Sequence, residues 1–225
     1  MKKISLLFAL FAFAFTFAQK IYFSSTRYGI TAGGTYSRVR NAHNPSGPIF
    51  SFYGGFLAII PIDKDNQFYL QPEIEYLGAG ESGKNKDSKE ISGYDAVYAN
   101  NYISVPIYLK GYFSEAESEF FALFGPKFNF LINQKVTNAP ITKPYYTVEG
   151  SPLYPGVNGK ANSFNFALGF GIGYSYKRKL EITGRYDLGI SNTYKGLMNE
   201  PGMDPAIIKS KSEHVVSLGL SYIFD

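Results

Sequence analysis

The sequence predicts an all-β fold, an eight-stranded antiparallel up-and-down transmembrane β-barrel, on three observations. Apolar and polar residues alternate with period two along eight segments, which separates the two faces of a strand and would mix them on a helix. The connections between those segments alternate long and short without exception. The chain also carries 20 Phe, 19 Tyr and 23 Gly with only 18% charged residues. Aromatics suit the membrane interfaces of a barrel, and small residues suit its crowded interior.

The N-terminus reads as an export signal over residues 1–18. Lys2 and Lys3 precede an apolar run from Ile4 to Phe17 that only Ser5 and Thr16 interrupt, and cleavage is expected after Ala18. The run is shorter than the ~20 residues a membrane helix needs. No Cys follows it, which excludes a lipid-anchored form. One barrel domain is then expected over 19–225. Losing Lys2 and Lys3 lowers the formal charge from +4 to +2, so nothing in the balance favours nucleic acid as a partner. Zero Cys excludes a disulfide scaffold, thiol catalysis and Cys-ligated metal.

The elements follow in order. Arg27–Arg38 alternates Tyr28, Ile30, Ala32 and Tyr36 with Gly29, Thr31, Gly33 and Thr35. Phe50–Ile60 is apolar on both faces, which leaves its orientation open. Gln67–Leu77 sets Phe68, Leu70, Pro72, Ile74 and Tyr76 against Gln67, Tyr69, Gln71, Glu73 and Glu75. Asn101–Phe113 sets Ile103, Val105, Ile107, Leu109 and Phe113 against Tyr102, Ser104, Tyr108, Lys110 and Tyr112. Phe120–Leu131 separates Phe120, Ala122, Phe124, Phe128 and Phe130 from Lys127 and Asn129. Ser163–Tyr176 is the cleanest, with large apolar residues from Phe164 to Tyr176 on one face and Ser, Asn, Ala and Gly on the other. Leu180–Ile190 sets Leu180, Ile182, Gly184, Tyr186, Leu188 and Ile190 against Glu181, Thr183, Arg185, Asp187 and Gly189. Val215–Phe224 directs Val216, Leu218, Leu220, Tyr222 and Phe224 to one face.

The connections run 39–49, 61–66, 78–96, 114–119, 132–162, 177–179 and 191–212. Short periplasmic turns and long external loops are what an outer-membrane barrel requires when both termini are periplasmic. Closure follows from the solvent: lipid cannot satisfy backbone amides, so a spanning sheet must leave no edge. Eight strands enclose a space that side chains can fill. The inward positions place Glu73, Glu75, Glu181 and Asp187 there with Lys110, Lys127 and Arg185. Four acids and three bases in a narrow lumen should pair, because an isolated buried charge is costly. Lys110 lies on the strand next to the one carrying Glu73 and Glu75. An internal ionic plug without an open pore is expected; paired acid–base catalysis is the alternative use of the same carboxylates.

Other motifs carry little chemistry. Gly169-Phe170-Gly171-Ile172-Gly173 lies within a strand with no helix after it, so it reads as lumen packing rather than a nucleotide loop. Asp63-Lys64-Asp65-Asn66 lacks the spaced Gly and Glu of a calcium loop and reads as a tight turn. Lys84–Lys89 is a charged loop centre that can meet lipopolysaccharide phosphates. His43 and His214 form no metal constellation, and no cofactor or catalytic residue is indicated. His43 falls in the first external loop, where a rim-located lipid-modifying enzyme would carry one, but no matching Ser and Asp accompany it. The 132–162 loop carries Tyr145, Tyr146 and Tyr154 among several prolines, a composition suited to binding an envelope protein partner or to capping the mouth.

Several segments resemble the PorT-like outer-membrane β-barrel family of Bacteroidota. They are Tyr28–Gly33, Leu70–Tyr76, Tyr102–Lys110, Gly125-Pro126-Lys127, Gly169–Gly173 and Gly184–Gly189. The closing Ser217–Phe224, with Gly219, Tyr222 and Phe224, resembles the last-strand signal read by the barrel-assembly machinery, although Asp225 follows its terminal aromatic. The resemblance implies an eight-stranded barrel embedded in outer-membrane lipid. Through the family's namesake it also points to an accessory role in type IX protein secretion and gliding, which fold likeness alone does not transfer.

Overall fold

In a computed structural model, the described residues are 23–41, 47–82, 97–137, 160–194 and 211–224. After a 3₁₀ turn at Phe23–Ser25 come eight strands: β1 (Arg27–Val39), β2 (Ile49–Pro61), β3 (Phe68–Ser82), β4 (Val97–Tyr112), β5 (Glu119–Thr137), β6 (Phe164–Tyr176), β7 (Leu180–Gly189) and β8 (Glu213–Ile223). Each pairs antiparallel with its neighbours in sequence. β1 closes on β8 through a register from Gly29↔Ile223 to Val39↔Glu213, so no edge remains. The three short turns and both described chain ends, Phe23 and Phe224, gather at one end of the barrel, here the turn end. The strand ends that lead into the four longer connections gather at the other, the loop end.

Period two decides which side chains face out. Large apolar residues stand exposed on every strand, among them Tyr28, Phe56, Ile74, Leu109, Phe124, Ile172, Ile182 and Leu218. A wall of this composition is stable in lipid and not in water. β2, whose orientation the sequence leaves open, turns Phe50, Phe52 and Phe56 outward and buries Tyr53, Leu57 and Ile59. Between β5 and β6 the register aligns Phe120 with Tyr174, Phe124 with Phe170, Phe128 with Phe166 and Phe130 with Phe164. Their ring centroids lie 5.0–5.6 Å apart. Such cross-strand pairs each add ~0.2–1 kcal/mol.

Strand limits differ from the expectation at the loop end. β3 runs to Ser82, β4 starts at Val97 and β5 reaches Thr137, each several residues beyond the alternating segment. These extensions rise past the apolar wall, where neither face needs to be hydrophobic, so the periodicity that marks the membrane-spanning part fades. A register shift at Asn101/Tyr102 changes the β4–β5 pairing where the extension begins. Besides Pro61 at the end of β2, three prolines sit in strand interiors. The ladder is broken for two residue pairs at Pro72 against β2, at Pro106 against β3 and at Pro126 against β4. Proline has no N–H to donate at those points.

Candidate functional site

The inward faces of β3, β4, β5 and β7 build an ionic core in two linked groups. In a closed barrel of eight, β3 and β7 are diametrically opposed. Arg185 on β7 reaches across the lumen to β3. Its Nη1 donates to Glu73 Oε2 and Glu75 Oε1 at 2.9 Å each, and its Nη2 donates to Glu73 Oε1 at 2.9 Å. Only a guanidinium offers the planar fork that can hold one carboxylate bidentately and share a second. Gln71 Nε2 donates to Glu73 Oε1 at 2.6 Å. Lys127 on β5 lies 2.8 Å from Asp187 Oδ2 and 3.4 Å from Glu75 Oε2, which ties β5 into the same group. The side chains of Arg185, Glu73 and Glu75 are at most 2% exposed, so these contacts form without competing water.

The second group lies nearer the turn end. Lys110 Nζ contacts both oxygens of Glu181, at 2.6 and 2.5 Å, and Tyr112 Oη donates to Glu181 Oε1 at 2.7 Å. The ammonium also sits 4.0 Å from the Phe121 ring centroid. Strand adjacency suggested carboxylates on β3 as neighbours of Lys110. The lysine instead reaches β7, three strands away, because the interior is narrow enough for a long side chain to cross it.

Aromatic rings fill the space around these charges. The Arg185 guanidinium carbon lies 5.5 Å from the Tyr53 ring centroid and 5.2 Å from that of Tyr108. Glycines on β1 and β6 make room for the rings. A Cβ at Gly169 would fall 2.7 Å from Tyr108 Cε1, and one at Gly33 would fall 2.6 Å from Tyr53 Cε1. Gly169 and Gly173 of the glycine-rich run thus face lumen aromatics, the latter against Phe121. Gly219 backs onto the Tyr53 hydroxyl. Toward the loop end, neutral amides and hydroxyls join the buried Glu81, Glu213 and Lys211. Ser104 donates to Asn129 Oδ1 at 2.7 Å, and Asn100 donates to Glu213 Oε1 at 3.2 Å. A cavity of about 10 Å³ bounded by Asn129, Asn165, Asp187, Thr193 and Glu213 has room for one water.

Sequence reasoning did not find the turn-end closure. Lys177 and Arg178 have φ of 51° and 53°, the paired left-handed residues of a type I′ hairpin turn usually built from Asn-Gly. Arg178 offsets that strain with its side chain. Its guanidinium donates to the carbonyls of Asn66, Ser114 and Ala116 at 3.0–3.1 Å, so one residue joins all three short turns. It also stacks 3.6 Å above the Tyr112 ring centroid, and Arg27 donates to its carbonyl at 3.0 Å. The only sequence signal is an arginine in a connection too short to leave it idle. Asp63-Lys64-Asp65-Asn66 is a turn: Asp63 accepts from the N–H groups of Gln67 and Phe68 at 3.1 Å each.

The remaining sequence-derived residues divide by place. Tyr222 and Phe224 lie on the outer wall at the turn end with ring centroids 5.7 Å apart, and the Phe224 N–H donates to Tyr28 O at 2.7 Å to close the seam. His214 lies on the outer wall of β8, with Nδ1 2.6 Å from the Tyr186 hydroxyl. His43, Lys84–Lys89, Tyr145, Tyr146, Tyr154 and the 1–18 segment lie outside the described residues. Among the described residues no three His, Cys, Asp or Glu side chains converge in a way that could hold a metal ion.

Comparison with known proteins supplies the family. No curated protein matches the chain. Among solved structures, it is similar to Ail, the attachment invasion locus protein of Yersinia pestis, at 10% identity and a TM-score of 0.41, over 88% of this chain and 98% of Ail. It is similar to OprG from Pseudomonas aeruginosa at 9% identity and a TM-score of 0.41, over 88% and 94% of the two chains. It is also similar to a major outer membrane protein from Thermus thermophilus at 13% identity and a TM-score of 0.42, over 89% and 100%. A family model described as an outer membrane protein beta-barrel domain matches residues 17–195. The chain therefore belongs to the outer membrane protein beta-barrel domain family.

Proposed function

We propose that this barrel is a non-conducting, non-enzymatic component of the outer membrane that presents its long external loops to a partner while both termini face the periplasm. The observation that carries the reading is the bridge from Arg185 on β7 to Glu73 and Glu75 on the opposite wall. A barrel selected for passage has no use for charges locked to one another across its middle. One built as a rigid pedestal does, because cross-lumen pairs resist ovalisation of an eight-stranded cylinder. Lipopolysaccharide around the wall and the barrel-assembly machinery at the β8 signal (Gly219, Tyr222, Phe224) are the partners this reading entails. Tyr145, Tyr146 and Tyr154 are its candidate contacts outside the cell. Reconstitution into planar bilayers tests it: no stable conductance is expected from the intact chain, and steady ohmic openings would refute the plug.

A second reading rests on the PorT-like motifs, above all Leu70–Tyr76 and Tyr102–Lys110, which supply lumen residues of the ionic core. It makes the barrel an accessory part of type IX secretion. A deletion strain examined for secreted proteins and surface motility separates the two. Loss of cargo restored by the intact gene favours the accessory role, and unchanged secretion removes it.

A further inference from the structure

Every Asp and Glu within the eight strands is buried toward the lumen: Glu73, Glu75, Glu81, Glu119, Glu181, Asp187 and Glu213. The outer wall is therefore free of acids among the described strand residues, and its few cations stand uncompensated there. Two lie together at the loop end of the β8–β1 seam. Arg38 is exposed and pairs in register with His214. Arg40, also exposed, follows two residues later, and its backbone N–H donates to Ser212 O at 2.8 Å. Directly opposed residues on adjacent strands hold their Cβ atoms about 5 Å apart, so the two guanidiniums and the imidazole share one patch. Among the described residues, no carboxylate forms a salt bridge with either arginine.

The patch has a fixed floor. The Tyr186 hydroxyl meets His214 Nδ1 at 2.6 Å, and Ser212 Oγ meets Nε2 at 3.1 Å, so both ring nitrogens are occupied and the arginines alone are left to bind. Its height on the wall is also fixed. Tyr28, 64% exposed, and Phe224, 44% exposed, mark the turn-end interface. Arg38 and His214 stand ten residues along β1 and β8 from those aromatics. Ten residues at ~3.3 Å each, tilted by ~40°, climb about 25 Å, the height of the apolar band of a membrane barrel. The arginines thus sit where the acyl chains end and the headgroups begin.

We propose that Arg38 and Arg40 clamp the phosphate of a lipid headgroup, of the lipid A type, in the leaflet at the loop end. The inference rests on the orientation given under Proposed function, which puts that leaflet on the cell surface. A planar guanidinium binds phosphate bidentately, and a second one two residues on closes the site from the side. Lys135 on β5, the strand opposite β1, is exposed without such a neighbour among the described residues and is expected to hold no lipid.

The test uses the full chain folded into phosphatidylcholine nanodiscs doped with lipid A, or with the same lipid A stripped of phosphate, and counts retained lipid by native mass spectrometry. At about fivefold per arginine near an anionic surface, the intact barrel should prefer the phosphorylated form roughly thirtyfold. Arg38→Gln with Arg40→Gln should abolish the preference, and Lys177→Gln at the turn end should leave it intact. Equal retention of both lipids by the intact chain, or an undiminished preference in the double variant, overturns the site. Failure of the intact chain to insert and show a heat-dependent gel shift would instead overturn the membrane reading beneath it.

Discussion

Replacing Arg185 with Met is the perturbation that bears most directly on the ionic core. The side chains are of similar volume, so the loss is chiefly one of charge and hydrogen bonding. Arg185 makes three hydrogen bonds at 2.9 Å to two carboxylates that are almost wholly buried. Three charge-assisted bonds at ~1.5–3 kcal/mol each would sum to ~5–9 kcal/mol if nothing compensated. Glu75 keeps Lys127 at 3.4 Å and Glu73 keeps Gln71 at 2.6 Å, so the uncompensated part is smaller. The cost of orphaning one side of a buried pair, ~3–5 kcal/mol, is the better guide, and we expect ~4 kcal/mol. Urea unfolding of the barrel in lipid vesicles, followed by tyrosine fluorescence and by the gel shift of folded barrels, measures it. Arg185→Met combined with Glu73→Gln should recover at least half of the loss, because the orphaned charge is then gone. A single variant within ~1 kcal/mol of the intact chain would refute the reasoning, since it would mean that water already supplies what Arg185 is credited with.

Gly169→Val should cost ~1–3 kcal/mol in the same assay by forcing the Tyr108 ring from its place, since even a Cβ there falls 2.7 Å from that ring. The two residues of the β6–β7 turn should respond in opposite directions. Lys177→Gly relieves a left-handed φ and should stabilise by up to ~1 kcal/mol, whereas Arg178→Gly relieves the same strain but severs three turns and should destabilise. Ile74→Arg on the outer wall should cost ~2–4 kcal/mol in lipid, as an outward charge near mid-height does, and little in a soluble barrel.

Sequence alternation made most of this wall legible, for a physical reason: a bilayer outside and a packed polar interior inside impose opposite demands on successive residues. Ser163–Tyr176 shows the contrast fully, and the strand found there differs from it by one residue. Where one demand lapses, so does the signal. β2 carries apolar residues on both faces because its inward side packs Leu57 and Ile59 against Tyr69 and Ile223, and its orientation could not be read. The ends of β3 and β5 stand beyond the lipid, and their extent could not be read either. The seven core charges were legible as inward residues. Their pairing was not, because partners on opposite walls are chosen by reach and height, and neither is written in sequence distance. Arg178 was missed for the same reason: its three acceptors lie on turns 62–112 residues away.

The inward charges have a second consequence, one that operates before the barrel exists. A chain bound for the outer membrane must first pass an inner membrane whose insertion machinery retains any long apolar stretch as a helix. Placing Glu73 and Glu75 between Pro72, Ile74 and Tyr76, or Glu181, Arg185 and Asp187 among the apolar residues of β7, keeps each strand from reading as such a stretch. Mean hydropathy over the whole chain stays at −0.12, although the outward faces of its described strands are largely apolar. The charges that later neutralise one another across the lumen thus act in transit as a passport, hiding a membrane protein from the wrong membrane until closure turns them inward.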